Sequence, residues 1–344
     1  MTGIRSISAN LAVMLLFGCG TPSRTPIVVY SPHGKELLGA FEERYEALHP
    51  DQDVQWLDMG SQDAYDRVRT ERGNPQADVW WGGPMLMFDR AAMEGLLEPY
   101  RPTWDTTVPP EEKSEGAFWY GTALLPEVIM YNTRTVDSSH APQDWDALLD
   151  PVWKDRIIIR LPLASGTMRM LFASIIERER RRTGNVEAGL RWLRALDANT
   201  KSYAADPTQL YLKIAREEGA VTIWDLPDVV IQSKEHGYPF GYVIPAGGTP
   251  VITDGIALVK GARHLEAAKG FYEFVTSRES MIFQAERFSR VPARRDIPAS
   301  DLPGWIAHLR LASMNIDWRA VSPHEQEWMH LWDEQVKGRG RTTQ

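Results

Sequence analysis

The sequence DRIIIRLPLASGTMRMLFASII, residues 155–176, predicts a buried strand that leads through a short turn into a helix. The three isoleucines at 157–159 form a β-branched apolar run of the kind found in buried strands. From residue 168 to residue 176 the apolar side chains recur at spacings of three and four, which is typical of a helix with one buried face. A strand followed directly by a helix indicates an α/β protein.

The turn Ser165-Gly166-Thr167 lies directly before this helix. Serine is a preferred N-cap, and a glycine lets the backbone approach whatever lies in front of the helix. The first-turn amides have no acceptor within the helix and lie at the positive end of its dipole, so they suit an anion or a polar oxygen. We expect this turn to hold one end of a small ligand. An ordinary capped helix has the same pattern, and these residues alone leave both interpretations open.

Composition limits the classes of protein to which the chain can belong. Its 344 residues suffice for two lobes with a core each, and 43% apolar and 24% charged residues are typical of a soluble globular protein. The formal net charge of -8 leaves no general basic field, which argues against a nucleic-acid partner.

The amino terminus resembles a bacterial lipoprotein leader. Arg5 precedes an apolar run at 11–17, which is too short for a permanent membrane span, and Cys19 follows in the lipobox-like sequence LFGC. We expect residues 1–19 to be a signal peptide, Cys19 to be lipidated, and residues 20–25 to be a tether. A simple secreted protein with a chance cysteine is the alternative. Cys19 is the only cysteine, so no internal disulfide can form.

The first hundred residues repeat one pattern three times: an apolar strand, a small or polar turn, and a helix. The strands are predicted at 26–30, 54–59 and 77–81. This alternation predicts a mostly parallel sheet with helices on its faces, and ligands of such sheets collect at the carboxyl ends of the strands. The candidate ligand contacts in these turns are Ser31, His33, Gly34, Ser61, Gly82 and Gly83.

Two tryptophans and one carboxylate are further candidates. Trp80 and Trp81 are adjacent in a predicted strand, so they face opposite ways, and Trp81 could stack on a ligand. Trp224 ends another predicted strand and is followed by Asp225. Asp225 could accept a hydrogen bond from a ligand hydroxyl or ammonium, or it could simply cap the next helix.

Catalytic and metal-binding motifs are not found in the sequence. The eight histidines are scattered, and no zinc motif, Walker loop, dinucleotide fingerprint or G-x-S-x-G elbow occurs. A triad of Ser165, His33 and Asp225 would have to be assembled from distant positions without any motif. We therefore expect no metal, no cofactor and no enzyme activity.

Seven short motifs occur in order along the chain: VVYS at 28–31, QADVW at 76–80, GLLEP at 95–99, VIMYNT at 128–133, PVWKDR at 151–156, SGT at 165–167 and TDGIA at 253–257. With them the chain resembles the periplasmic solute-binding proteins of ABC importers. It is similar to the branch that includes ferric-ion, 2-aminoethylphosphonate, hexose-phosphate, thiamine and polyamine binders.

The resemblance implies the two-lobed α/β fold of type II periplasmic binding proteins, in which each lobe has a mixed, mostly parallel sheet flanked by helices. Two crossing strands would form the hinge. Lobe 1 would comprise residues 26–118 and 251–283, lobe 2 residues 119–250 and 284–336, and residues 337–344 would be a disordered tail. The ligand would lie between the lobes, held by the turns named above.

The resemblance also implies the kind of ligand. Ferric binders carry two adjacent tyrosines near the strand that corresponds to 219–224, and here residues 224–230 contain no tyrosine. We therefore expect a phosphate- or phosphonate-bearing molecule, with its acid group on the helix after Ser165 and its other end near Asp225. A polyamine held by Asp225 with Trp81 or Trp224 is the competing class, and iron is a further alternative.

The same resemblance predicts the partners. We expect a monomeric receptor, periplasmic or on the cell surface and held to the membrane only by its lipid, which delivers the ligand to an ABC permease and its ATPase. An enzyme or a sensor on this fold is the less favoured alternative, since fold does not fix function.

Overall fold

The computed structural model describes residues 24–338. The predicted signal peptide, Cys19 and most of the predicted tether lie outside these residues, as do residues 339–344 of the predicted tail. What the sequence predicts for those segments stays a prediction. No helix within 24–338 is long and apolar enough to cross a membrane.

Strands and helices alternate along most of the described chain. The strands are β1 (Thr25–Ser31), β2 (Gln52–Asp58), β3 (Val79–Pro84), β4 (Leu97–Glu98), β5 (Tyr120–Asn132), β6 (Ile157–Arg160), β7 (Thr200–Ala204), β8 (Val221–Asp225), β9 (Phe240–Val243), β10 (Val251–Val259) and β11 (Val291–Pro292). The helices are α1 (Lys35–Leu48), α2 (Ser61–Thr70), α3 (Met85–Met93), α4 (Gly166–Thr183), α5 (Val186–Asn199), α6 (Pro207–Ala215), α7 (Leu226–His236), α8 (Leu265–Val275), α9 (Arg278–Phe288), α10 (Gly304–Ala307), α11 (Trp318–Val321) and α12 (Glu325–Gln335).

The strand order places two sets of parallel strands on either side of two antiparallel ones. The order is β2-β1-β3-β10-β5-β8-β6-β7. β1 is parallel to β2 and β3, and β6 is parallel to β7 and β8. β10 runs antiparallel to β3 and β5, and β5 runs antiparallel to β8. This confirms the predicted fold class of mixed sheets flanked by helices.

β5 and β10 join the two lobes. Residues 120–126 of β5 pair with β10, whereas residues 127–131 pair with β8. We call the elements around β1, β2 and β3 lobe 1, and those around β6, β7 and β8 lobe 2. One long strand that changes partner in this way passes from one lobe to the other and forms part of the hinge.

The core of lobe 1 lies between its sheet and the helices α1 and α8. Val29, Phe41, Trp81 and Phe271 are buried there at 0–1% exposure. The rings of Phe41 and Trp81 meet edge to face with centroids 5.2 Å apart. Apolar burial of this kind supplies most of the stabilisation of a lobe.

Lobe 2 is built on the strand, turn and helix with which the sequence analysis began, and these elements are confirmed. All four residues of β6 are buried. Helix α4 buries Met168, Leu171 and Phe172 among others and is followed by its C-cap residue, Gly184. Gly184 has φ +81°, a left-handed conformation that glycine adopts without a steric penalty, so the helix ends there.

The strand β3 departs from the sequence prediction. The sequence predicts that the strand ends at residue 81 and that Gly82-Gly83-Pro84 is a turn, but β3 continues through Pro84. The antiparallel neighbour β10 pairs Asp254 with Pro84 and Ile256 with Trp81. A partner 170 residues away extends the strand across glycines that would end it in isolation.

Both ends of the described chain are held by hydrogen bonds. β1 already begins at Thr25, within the predicted tether, and Thr25 pairs with Gln52. At the other end, the amide of Lys337 donates to the carbonyl of Trp332, and the amide of Gly338 donates to Asp197. The lobe boundaries predicted from the sequence are kept as a proposal.

Candidate ligand-binding site

A buried carboxylate organises the lobe 1 side of the candidate site. Asp254, on β10, lies 2.7 Å from Nε2 of His33 through one carboxylate oxygen and accepts a 2.6 Å hydrogen bond from the amide of Gly83 through the other. Both the His33 and Asp254 side chains are buried. The backbone amide of His33 donates to the hydroxyl of Ser31 at 3.2 Å. Ser31 and His33, from one predicted turn, and Gly83, from another, are therefore brought together around one residue that the sequence analysis did not select.

The glycines of β3 are required by this close packing. Gly82 and Gly83 have φ +105° and +126°, a conformation that other residues rarely adopt. A Cβ on Gly82 would lie 2.7 Å from Cδ of Pro32 and 2.8 Å from Nε2 of His33. Gly34 has φ +80° and stands at the start of α1. These residues shape the backbone beside His33.

Trp81 belongs to the core of lobe 1. It is fully buried, and its ring meets the imidazole of His33 edge to face with centroids 5.0 Å apart. This packing fixes the orientation of His33. Stacking of the Trp81 indole on a ligand stays a prediction.

The start of helix α4 faces lobe 1 directly. The Ser165 hydroxyl caps the helix by accepting from the amide of Met168 at 3.3 Å. The amide of Gly166 donates to the hydroxyl of Ser61 in lobe 1, also at 3.3 Å. A Cβ on Gly166 would lie 2.7 Å from Cδ of Pro84. In this closed arrangement the Gly166 amide, which the sequence analysis expects to be open to ligand, already has a protein partner from the other lobe.

An arginine beside this helix start was missed by the sequence analysis. Arg160 ends β6, is 6% exposed, and donates to the carbonyls of Ala204 at 3.3 Å and Ala164 at 3.1 Å. Its Nε is buried without a hydrogen-bond partner, and among residues 24–338 no carboxylate lies within ion-pair distance of it. Burial lowers the pKa of Arg160, while the more distant Asp206 and Asp63 raise it. A buried cation without a counter-ion is costly, and an anionic ligand would relieve that cost.

Three carboxylates gather on the lobe 2 side of the hinge. Glu127 on β5 lies directly across from Asp225 on β8, and Asp225 caps α7 by accepting from the amide of Asp228 at 3.0 Å. Glu127 is fully buried, and neither of its carboxyl oxygens has a partner within the described chain. Burial, followed by repulsion from Asp225 and Asp228, raises its pKa well above the usual value. Burial and Asp228 likewise raise the pKa of Asp225.

Arg290 connects this acidic group with the lobe 1 side. Its guanidinium lies 3.8 Å from a carboxylate oxygen of Asp228. Although burial opposes it, the fields of Asp228, Asp254 and Asp225 raise the pKa of Arg290. Because carboxylates of both lobes act on the charge of Arg290, the two halves of the candidate site are coupled electrostatically.

Trp224 is also held by the acidic group. Its indole Nε1 donates to the hydroxyl of Tyr211 at 2.8 Å and to Asp228 at 3.1 Å. The Tyr211 hydroxyl donates to Asp228 at 2.7 Å, and burial raises its pKa well above the usual value. The Tyr211 phenol is therefore neutral and already paired. Direct contact of Trp224 with a ligand stays a prediction.

Comparison with known proteins agrees with this architecture. The model of the bacterial extracellular solute-binding protein family matches residues 30–282. The chain belongs to this family. A relative from Sinorhizobium fredii, provisionally named ABC transporter periplasmic-binding protein y4fP, is 27% identical over 321 residues, which cover 90% of this chain and 86% of the relative. The chain is thus a solute-binding receptor of the ABC transporter type, as the sequence predicts, and proteins of this family bind small ligands and deliver them to a transporter.

Three further comparisons are with proteins whose names state a ligand. A Salmonella typhimurium relative, provisionally named 2-aminoethylphosphonate-binding periplasmic protein, is 27% identical over 302 residues, covering 82% of this chain and 78% of the relative. The structure of AfuA from Actinobacillus pleuropneumoniae, with fructose 6-phosphate bound, superposes with a TM-score of 0.80 at 25% identity and covers 92% of this chain and 99% of AfuA. Ferric-binding proteins share the fold at lower identity, for example one from Campylobacter jejuni at 19% with a TM-score of 0.77.

Proposed function

We propose that this receptor captures a small organic molecule bearing a phosphate or phosphonate group. The observation that carries the proposal is Arg160, a buried cation with no carboxylate partner beside the start of α4. A phosphoryl group placed there would neutralise the guanidinium and would lie near the positive end of the α4 dipole. The names of the Salmonella and Actinobacillus relatives are consistent with this ligand class.

In this proposal the remaining predicted contacts surround the rest of the ligand. His33 and Asp254 face it from lobe 1, and Asp225 faces it from lobe 2. His33 Nδ1 is buried without a partner within the described chain, so it can exchange a hydrogen bond with a ligand hydroxyl. These groups bind and orient the ligand and do not convert it.

Iron is the less favoured cargo. Fe³⁺ prefers anionic oxygen ligands. Tyr211, the tyrosine that hydrogen-bonds to Asp228, has its pKa raised rather than lowered, so it does not offer a phenolate.

A polyamine is the second candidate ligand. The group formed by Glu127, Asp225 and Asp228 supports it. These three carboxyl groups have only one guanidinium beside them, that of Arg290, so they could balance the positive charge of a ligand ammonium. An ammonium beside Glu127 would lower the pKa of that carboxyl and allow it to ionise.

Thermal unfolding of the full chain with added ligand tests the two classes against each other. We expect fructose 6-phosphate or 2-aminoethylphosphonate to stabilise the protein, by about 2.7 kcal/mol at a concentration of roughly a hundred times the dissociation constant. Fructose, which lacks the phosphate, is the matched control and should stabilise it far less. Stabilisation by spermidine, with none from either anion, would contradict the proposed ligand class and support the acidic group as the recognition element.

We also propose that the mature protein is a monomer outside the cytoplasm, anchored through a lipid on Cys19, and that its closed form docks on an ABC permease. Mass spectrometry of the amino-terminal peptide from membranes tests the anchor: a diacylglyceryl cysteine is expected at residue 19. An unmodified peptide released into the medium would contradict it.

A further inference from the structure

One buried carboxylate in the last helix joins the two lobes. Glu325, the first residue of α12, is 3% exposed. One of its oxygens lies 2.5 Å from Nη2 of Arg90, and the other lies 2.5 Å from Nε of Arg169. The two arginine side chains are 13% and 11% exposed. Arg90 belongs to α3 of lobe 1 and Arg169 to α4 of lobe 2, so a single carboxylate is shared between the lobes.

Glu325 itself is held by lobe 2. Trp332, two turns further along α12, packs edge to face on Phe172 and Tyr203, with ring centroids 5.7 Å and 5.5 Å apart. Both of those residues are in lobe 2, and Arg169 lies one turn before Phe172 on the same helix. The pair formed by Glu325 and Arg169 is therefore internal to lobe 2.

Arg90 instead belongs to lobe 1. Its guanidinium lies 5.4 Å from the ring centroid of Tyr65, which is buried on α2. Helix α3 starts where lobe 1 meets lobe 2, since Pro84, the residue before it, contacts Gly166 at the start of α4. Moving the lobes apart separates these two helix starts. The pair between Arg90 and Glu325 then breaks, while the pair between Arg169 and Glu325 persists.

We propose that Glu325 is a positioning residue that sets the balance between closed and open lobes without touching the ligand. In the closed form its two oxygens are both paired with guanidinium groups, which is a strong, charge-assisted arrangement. In the open form water takes the place of Arg90. Because apparent affinity scales with the fraction of molecules in the binding-competent state, Glu325 tunes affinity from outside the site.

The interlobe distance measured by single-molecule fluorescence energy transfer tests this without any ligand. Leu48 in lobe 1 and Val152 in lobe 2 are exposed side chains and serve as cysteine labelling positions in the full chain carrying Cys19→Ser. We expect Glu325→Gln to shift the distribution toward longer distances, with the ratio of closed to open molecules reduced by about tenfold.

Two further variants test whether the ion pair between Glu325 and Arg90 holds the lobes together. Arg90→Met removes only the partner in lobe 1 and should shift the distribution as Glu325→Gln does, with little further shift when both changes are combined. Arg101→Met is the matched control, because Arg101 pairs with Asp105 within lobe 1 and its side chain is 66% exposed. It should leave the distribution unchanged.

The outcomes that would overturn the proposal are distinct. Unchanged distances in Arg90→Met, with a native circular dichroism spectrum, would show that the pair does not hold the lobes. A shift in Glu325→Gln that Arg90→Met does not reproduce would place the effect in the attachment of α12 to lobe 2 instead. The interlobe distances of both variants are measured without ligand, so the result does not depend on which solute the receptor binds.

Discussion

Replacing Glu127 by glutamine should change how the stability of the protein depends on pH. Glu127 is fully buried on the hinge strand β5, and neither carboxyl oxygen has a partner within the described residues. Burial, then Asp225 and Asp228, raises its pKa well above the usual value. In the native protein the carboxyl therefore keeps its proton at pH values at which the same group in the unfolded chain has lost it.

The sign and size of the effect follow from that difference. Unfolding releases a proton, so this group contributes most at low pH, and its contribution falls as pH rises from the unfolded pKa, about 4.3, to the raised folded pKa. Within that window the loss is about 1.4 kcal/mol per pH unit. The wild type should therefore lose unfolding free energy through Glu127 as pH rises between the unfolded pKa and the raised folded pKa. Glutamine does not titrate, so the Glu127→Gln variant should lack this component.

Urea unfolding followed by tryptophan fluorescence measures the effect. The free energy of unfolding is determined for both proteins at a series of pH values above the unfolded pKa, and the difference between their pH dependences isolates the carboxyl. Glu36→Gln is the control, because the Glu36 side chain is 68% exposed on α1. Equal pH dependences in wild type and Glu127→Gln would refute the reasoning and would mean that Glu127 is ionised in the native protein.

Three further predictions concern the closed site. Arg160→Gln should lower affinity for fructose 6-phosphate by roughly tenfold to a hundredfold in calorimetry. The stability of the ligand-free protein should change by less than about 1 kcal/mol, because the substitution also removes a buried charge that lacks a counter-ion. Equal affinities of wild type and variant would contradict this. Gly166→Ala should prevent full closure, because its Cβ would meet Cδ of Pro84 at 2.7 Å; an unchanged radius of gyration in X-ray scattering would argue against it. Asp254→Asn should cost about 2 kcal/mol in thermal unfolding, because an NH2 group replaces one of the two carboxylate oxygens that hold Gly83 and His33. A cost below roughly 0.5 kcal/mol would show that the carboxylate does not organise lobe 1.

The fold was largely predictable because its main elements carry local signals. The isoleucine run of β6, the Ser165 cap and the apolar spacing of α4 are all contained within 22 residues, and the structure has each of them. The extension of β3 through Pro84 was not predictable in this way. It depends on pairing with Asp254 of β10, and a local pattern contains no information about that partner.

The candidate site was only partly predictable for the same reason. Its residues come from loops and strand ends up to 221 positions apart, as in the contact between His33 and Asp254. Arg160 and Glu127 did leave a signal that was overlooked. Each is a charged residue inside an otherwise apolar strand, IIIR in β6 and LLPEVIMY in β5. A charged side chain in such a run is predicted to be buried with the strand, and a buried charge that lacks an ion-pair partner is a candidate for a functional site.

The sequence analysis assigned ligand binding to the turn Ser165-Gly166-Thr167, whereas in the structure the Gly166 amide contacts the opposite lobe. The Gly166 amide is satisfied by the Ser61 hydroxyl of the opposite lobe, so in the closed form it contributes the same energy whichever ligand is present. A group whose interaction does not vary between ligands cannot discriminate among them. Under the proposed function, discrimination comes instead from Arg160, a buried guanidinium with no carboxylate within ion-pair distance among residues 24–338. The start of α4 then contributes to lobe closure, and Arg160 to recognition of the anionic group.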